Sequence, residues 1–163
     1  AKLSEDLRYD TAMHYLAGGV DHLKNSGFAR SDRIGAVGFC MGGGYSLLMS
    51  CQNRDIAAAV AFYGQIVNDH PTEKNPVNPI ELVPQMSCPL LYIHAGADEY
   101  IPLHHANRLR DAMAEANKEG EVKSYPGAPH AFFNDTQPDI YRPKEAKDAW
   151  QRTLAFFQRH LKA

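Results

Sequence analysis

Apolar and polar positions change rhythm several times along the 163 residues. In EDLRYDTAMHYLAGGVDHLKNSG, the residues Leu7, Ala12, Tyr15, Leu16, Val20 and Leu23 recur mostly at three- and four-residue steps. That spacing predicts an amphipathic helix ending near Asn25 to Gly27. RIGAVGF reads as a short apolar strand, MGGGYSLLMSC as a helix, and IAAAVAFYG as a second, buried strand. Residues 65–87 hold four prolines and predict a long loop, a candidate cover for a pocket. CPLLYIHAGADEY predicts a third strand with a polar exit. PLHHANRLRDAMAEANKEG predicts a helix opened by Pro102 and closed by Gly120. EVKSYPGAPHAF is a fourth strand running into a loop. RPKEAKDAWQRTLAFFQRHLK is a last helix, with Pro143 at its start and Ala146, Trp150, Leu154 and Phe157 on one face.

Strands and helices alternate, and the strands read as continuous apolar runs, as a sheet covered on both faces requires. The expected architecture is α/β: a parallel sheet of about four strands with helices on both faces and right-handed crossovers. The expectation is one domain over residues 1–163. Chemistry in such sheets collects at the carboxyl ends of the strands.

Composition narrows the function classes. The net charge of −2 lacks the basic balance of a nucleic-acid binder. No apolar run reaches the ~18 residues of a membrane span, and no charged-then-apolar leader is visible. Cys40, Cys51 and Cys88 are an odd number at unrelated spacings. They read as thiols of a reducing, cytoplasmic compartment rather than a disulfide framework.

The densest signal is IGAVGFCMGGGYSLL, with five glycines between residues 34 and 44. Strand, then Gly38-Phe39-Cys40-Met41-Gly42, then helix, is the G-x-nucleophile-x-G elbow with Cys in place of Ser. A turn this sharp strains the nucleophile. Side chains at Gly38 and Gly42 are expected to collide with the neighbouring strand and helix. Cys40 would stand at a helix N-terminus, where the dipole favours negative charge on sulfur. The N–H of Met41 could face a developing oxyanion. A glycine-rich turn with a buried cysteine is the bland alternative. No G-K-[ST] and no G-x-G-x-x-G follows, so neither a phosphate loop nor a dinucleotide fold is expected.

A cysteine nucleophile needs a base, and the base needs an orienting acid. Asp98 leaves the third predicted strand in HAGADEYIP, and His130 leaves the fourth in YPGAPHAF. Asp98 could equally cap a turn, and Glu99 is an alternative orienter. Phe39, Tyr45, Tyr63, Phe132, Phe133 and Trp150 read as core, with Phe39, Phe132 and Phe133 candidates for a substrate pocket. His94 lies within a strand and reads as a hydrogen-bonded core or rim residue. His104 and His105 are adjacent, so on a helix they do not make a metal pair. No paired-ligand pattern occurs, and no metal or cofactor is expected.

GFCMGGG, GADEYIP and YPGAPHAF, in that order on that framework, resemble the dienelactone hydrolase family, a Cys-His-Asp branch of the α/β-hydrolases. The resemblance runs from about residue 10 to the end. It implies hydrolysis of a lactone or carboxylic ester, with Cys40 as nucleophile, His130 as base and acid, Asp98 as orienter and an acyl-thioester intermediate. Relatives carry further strands and a helix ahead of the segment that opens this chain. They take from there a second oxyanion donor and a glutamate near the resting cysteine, neither assignable here. The fold is thus expected as an N-terminally short α/β-hydrolase whose elbow strand is an open edge, coverable by a homo-oligomer. The family's arginine four residues after the histidine is Asn134 here, so carboxylated dienelactone is not the expected preferred substrate. The alternative is a non-catalytic or partly active relative serving as an interaction or oligomeric subunit. A redox role ranks behind both, since no second cysteine lies near Cys40 in sequence.

Overall fold

A computed structural model describes residues 7–162. Four strands, β1 (Ile34–Phe39), β2 (Ile56–Phe62), β3 (Leu90–Ala95) and β4 (Gly120–Tyr125), form one sheet in that order. Every neighbouring pair is parallel. Parallel neighbours need a crossover, and helical segments fill each one. Among the described residues the helices are α1 (Tyr9–Asn25), α2 (Met41–Gln52), the single turn α3 (Pro79–Leu82), α4 (Leu103–Glu115) and α5 (Pro143–Leu161).

Alternation along the strands sorts side chains to two faces. Ala59, Ala61, Leu90 and Tyr92 pack with Val20 of α1, Leu47 of α2, and Leu109 and Met113 of α4. Val60, Phe62, Leu91 and Ile93 pack with Ala149 and Phe156 of α5. Three long helices therefore cover one face and a single helix covers the other. Both faces of β2 and β3 are dry, which is why those strands read as unbroken apolar runs. The expectation fails for β4: GEVKSY buries only Tyr125, because β4 is an edge strand.

Two helical faces are phased differently from their sequence pattern. On α5 the buried positions are Ala146, Ala149, Thr153 and Phe156. Trp150 and Leu154 remain 40% and 51% exposed. Trp150 stands instead beside Phe133, ring centroids 5.9 Å apart, and further along the helix Phe157 and Leu161 lie against Gly35. On α1, Ala12 and Val20 are buried while Tyr15 is 72% exposed, so its apolar stripe is only partly covered.

The 65–87 segment is more structured than a plain loop. It includes α3 and the tight turn Val83–Gln85, and it buries Ile66, Val67 and Val83 in the core. Asn68 fixes its middle: the side-chain amide donates to the carbonyls of Asn75 and Val77, both at 3.0 Å.

Candidate active site

Cys40 joins β1 to α2 with φ 55° and ψ −117°. This left-handed conformation is strained for a residue with a side chain and persists only where its surroundings fix it. The Cys40 N–H donates to the Phe62 carbonyl at 3.0 Å, and the Cys40 carbonyl accepts from Gly44 N–H at 3.1 Å. The turn is tight enough that a Cβ on Gly38 would lie 2.0 Å from the Gly42 carbonyl oxygen. One on Gly43 would lie 2.3 Å from the Phe62 carbonyl oxygen. Gly42 departs from the expectation, because a Cβ there meets nothing within 4 Å. The crowding falls on Gly38 and Gly43, where α2 crosses the ends of β1 and β2.

The elbow leaves Cys40 exposed. Its Sγ stands 3.1 Å from Nε2 of His130, and Nδ1 of His130 stands 2.7 Å from Oδ2 of Asp98. The structure thus brings together three residues separated by up to 90 positions, on the loops that follow β1, β3 and β4. Asp98 also fulfils the turn reading, since its Oδ1 accepts from the N–H groups of Tyr100 and Ile101. The Asp98 loop is moored from below by His94. Nε2–H of His94 donates to the Ile101 carbonyl at 2.8 Å, which leaves Nδ1 to accept the Ser124 hydroxyl at 2.9 Å. The loops that carry Asp98 and His130 are also tied to each other, through Ala97 N–H to the Ala128 carbonyl.

Burial of Asp98 works to raise its carboxyl, but hydrogen bonds from His130, Tyr100 and Ile101 outweigh it and hold the carboxyl below the usual range. His130 moves the other way. The hydrogen bond to Asp98 pushes its imidazole from 6.5 up to about 9, burial opposes this, and the Cys40 sulfur adds to the rise.

Met41 is the first residue of α2, so its N–H is one of the donors that a helix leaves unsatisfied at its start. Two cavities meet at Cys40. One, of about 650 Å³, is lined by Phe39, Tyr63, Phe133, Tyr141 and Trp150 with Lys147 beside them. The other, of about 690 Å³, lies under residues 65–75 and is lined by polar groups including Asn68, Asp69, Tyr100 and His105. Phe39 stacks on Phe62 at 4.5 Å and meets Phe133 at 5.1 Å. Phe132 does not join them. It is fully buried against Tyr63 and Tyr125, a core residue rather than a pocket wall.

Tyr63, read as core from the sequence, borders both cavities and meets the His130 ring edge-on at 5.1 Å. Its φ of 36° is strained. Burial holds its hydroxyl well above the ordinary phenol range, and the neighbouring Cys40 adds to that. Strand register was the available signal: Phe39 pairs with Phe62, so the residues that follow, Cys40 and Tyr63, leave adjacent strands side by side.

The dienelactone hydrolase family model matches residues 3–161. A protein of Methylorubrum extorquens named "Putative carboxymethylenebutenolidase" is 34% identical over 148 residues, covering 91% of this chain and 50% of its own length. A Bradyrhizobium protein named "Probable 2-oxo-3-(5-oxofuran-2-ylidene)propanoate lactonase" is 34% identical over 142 residues, covering 87% of this chain and 56% of its own. The chain therefore spans about half the length of these curated relatives. Among solved structures, a "Putative Dienelactone Hydrolase" from Klebsiella pneumoniae superposes with a TM-score of 0.88 at 30% identity, over 94% of this chain and 63% of that one.

Proposed function

We propose, from the premise that this chain belongs to the dienelactone hydrolase family, that it hydrolyses lactones or carboxylic esters through an acyl-thioester on Cys40. The observation that carries this reading is the aligned series Cys40 Sγ, His130 Nε2, His130 Nδ1, Asp98 Oδ2, with gaps of 3.1 and 2.7 Å. Nucleophile, base and orienting acid stand within hydrogen-bond reach, which is what activation of a thiol requires. Relatives whose names describe lactone hydrolysis support the substrate class.

In this reading His130 takes the proton of Cys40, and the sulfur attacks the carbonyl carbon. The carbonyl π electrons move to oxygen, and the Met41 N–H stabilises that charge. Collapse breaks the C–O bond, and the His130 imidazolium gives its proton to the leaving alkoxide. An imidazole held at about 9 is well suited to carry that proton at neutral pH. Water, deprotonated by His130, then attacks the thioester and frees Cys40. Asp98 orients the ring and stabilises the imidazolium throughout. Asn134 lines the aromatic cavity where the family resemblance would place an arginine, which favours substrates without a carboxylate there.

The test is intact-protein mass spectrometry of samples quenched in acid soon after mixing with p-nitrophenyl acetate. A single acetyl adduct that maps to the Cys40 peptide is expected. An unmodified protein that also releases no p-nitrophenol would remove the reading.

A further inference from the structure

The cavity under residues 65–75 contains a second histidine that the Cys40 chemistry does not use. His105, in the first turn of α4, is only 7% exposed and lines the same space as Cys40 and His130. Its Nδ1 is buried without a hydrogen-bond partner among the described residues. Its Nε2 stands 3.8 Å from the Asp69 carboxylate, beyond hydrogen-bond length. Nε2, beside Asp69 and with no partner at hydrogen-bond distance among the described residues, is the nitrogen open to a ligand in this substrate-sized cavity.

The charges around this ring define what could fill the gap. Burial and the neighbouring His104 hold the His105 imidazole below its ordinary value, Asp69 opposes them, and Arg108 adds to the lowering. The ring is therefore neutral at pH 7, with one donor and one acceptor nitrogen. The carboxylate beside Nε2 favours the tautomer with the proton on Nε2. The pair then presents an N–H donor and a carboxylate acceptor side by side. An anion would be repelled by Asp69. A bare carbonyl would use only the histidine. A hydroxyl group, which both accepts and donates, matches the two together.

We propose that His105 and Asp69 form a recognition site for a substrate hydroxyl, so that this chain prefers hydroxylated esters or lactones. The hydroxyl-bearing part lies toward Asp69 in the polar cavity, and an apolar part lies toward Phe39 and Phe133 in the aromatic one. The proposal rests on the hydrolase reading above. His105 and Asp69 are specificity residues in it and touch no reacting atom.

The experiment compares kcat/KM for p-nitrophenyl 3-hydroxybutyrate and p-nitrophenyl butyrate, each corrected for its uncatalysed rate. The wild type is expected to prefer the hydroxylated ester by about tenfold or more, since a site built for a hydroxyl discriminates against its absence. His105→Leu and Asp69→Ala should each bring that ratio to about one, through a rise in KM for the hydroxylated ester. His105→Gln retains an amide donor and should recover part of the preference. A wild-type ratio near one, or a ratio that survives in both variants, overturns the proposal. If His105→Leu does not fold by circular dichroism, Asp69→Ala decides, because Asp69 is 62% exposed. If the wild type turns over neither ester, the hydrolase reading fails and a binding measurement still tests the site. Cys40→Ala protein is titrated with 3-hydroxybutyramide and with butyramide while the histidine ring signals are followed by NMR. Shifts of the His105 ring with the hydroxylated amide alone support the site, and equal or no shifts overturn it.

Discussion

Asp98 reaches His130 with one carboxylate oxygen only: Oδ2 lies 2.7 Å from Nδ1, while Oδ1 is occupied by the N–H groups of Tyr100 and Ile101 at 2.8 and 3.0 Å. The two backbone donors fix the plane of the carboxylate. An Asn at this position would keep its oxygen on those donors and turn its NH₂ toward His130. Nδ1 would then have to be unprotonated, placing the proton on Nε2, where it faces Cys40 and blocks proton uptake. Asp98→Asn is expected to fold normally and to lower kcat by up to about 10⁴-fold. Loss of the Asp98 charge should also move the His130 limb of the pH–kcat/KM profile down from about 9 toward 6.5. A limb left near 9 would show that it belongs to another group.

The same pair links stability to pH. His130 is raised in the folded chain, so its contribution is fully present below its ordinary 6.5 and is lost as pH rises through about 9. Asp98 is lowered, so its contribution is present above the ordinary carboxylate value of about 4 and is lost as pH falls through the depressed folded value. The wild type should therefore exceed His130→Ala in stability by at most about 3 kcal/mol near pH 6, with the difference shrinking as pH rises from 6.5 and gone above about 9. Urea midpoints of both proteins across that range measure it. A difference that grows with pH would contradict the assignment.

Crowding at the elbow makes opposite predictions for neighbouring glycines. A Cβ on Gly64 would lie 2.1 Å from the backbone N of Gly44, and one on Gly38 2.0 Å from the Gly42 oxygen. Gly38→Ala and Gly64→Ala should cost about 3 kcal/mol or more, or prevent folding. Gly42→Ala meets open space in a helix and should raise stability by about 0.5–1 kcal/mol. Thermal melts of the three variants separate these outcomes, and a Gly42→Ala protein that melts with the others would refute the geometry.

Phe132 and Phe133 should separate a core role from a pocket role. Phe132→Ala empties a fully buried site and should cost about 3–5 kcal/mol. Phe133→Ala, beside Cys40 in the aromatic cavity, should mainly raise KM for esters with apolar groups. Equal losses of stability in both would show that Phe133 is a core residue too.

Much of this was legible in the chain. The glycine spacing around Cys40 marked the elbow because few other turns need so many missing side chains in one place. Asp98 and His130 were legible because each stands within a few residues of the end of an expected strand, and a parallel sheet puts all such exits on one edge. What escaped depends on the third dimension. Adjacent aromatics in a loop carry no periodicity, so Phe132 and Phe133 could not be told apart. The α5 stripe at Trp150 and Leu154 was misphased because apolar spacing alone does not say which positions of a helix face the sheet; Ala149 and Thr153 do so here. His105 drew notice only as a neighbour of His104. Its burial depends on residues 65–75 folding over α4, a contact between segments some 35 positions apart.

Initial rates of p-nitrophenyl acetate hydrolysis by wild type and by Cys40→Ala test the central claim most directly. Turnover by the wild type, with the variant reduced to the uncatalysed background while its circular dichroism is unchanged, is the predicted result. A Cys40→Ala protein that hydrolyses at the wild-type rate, or a wild type no faster than buffer, would contradict the account.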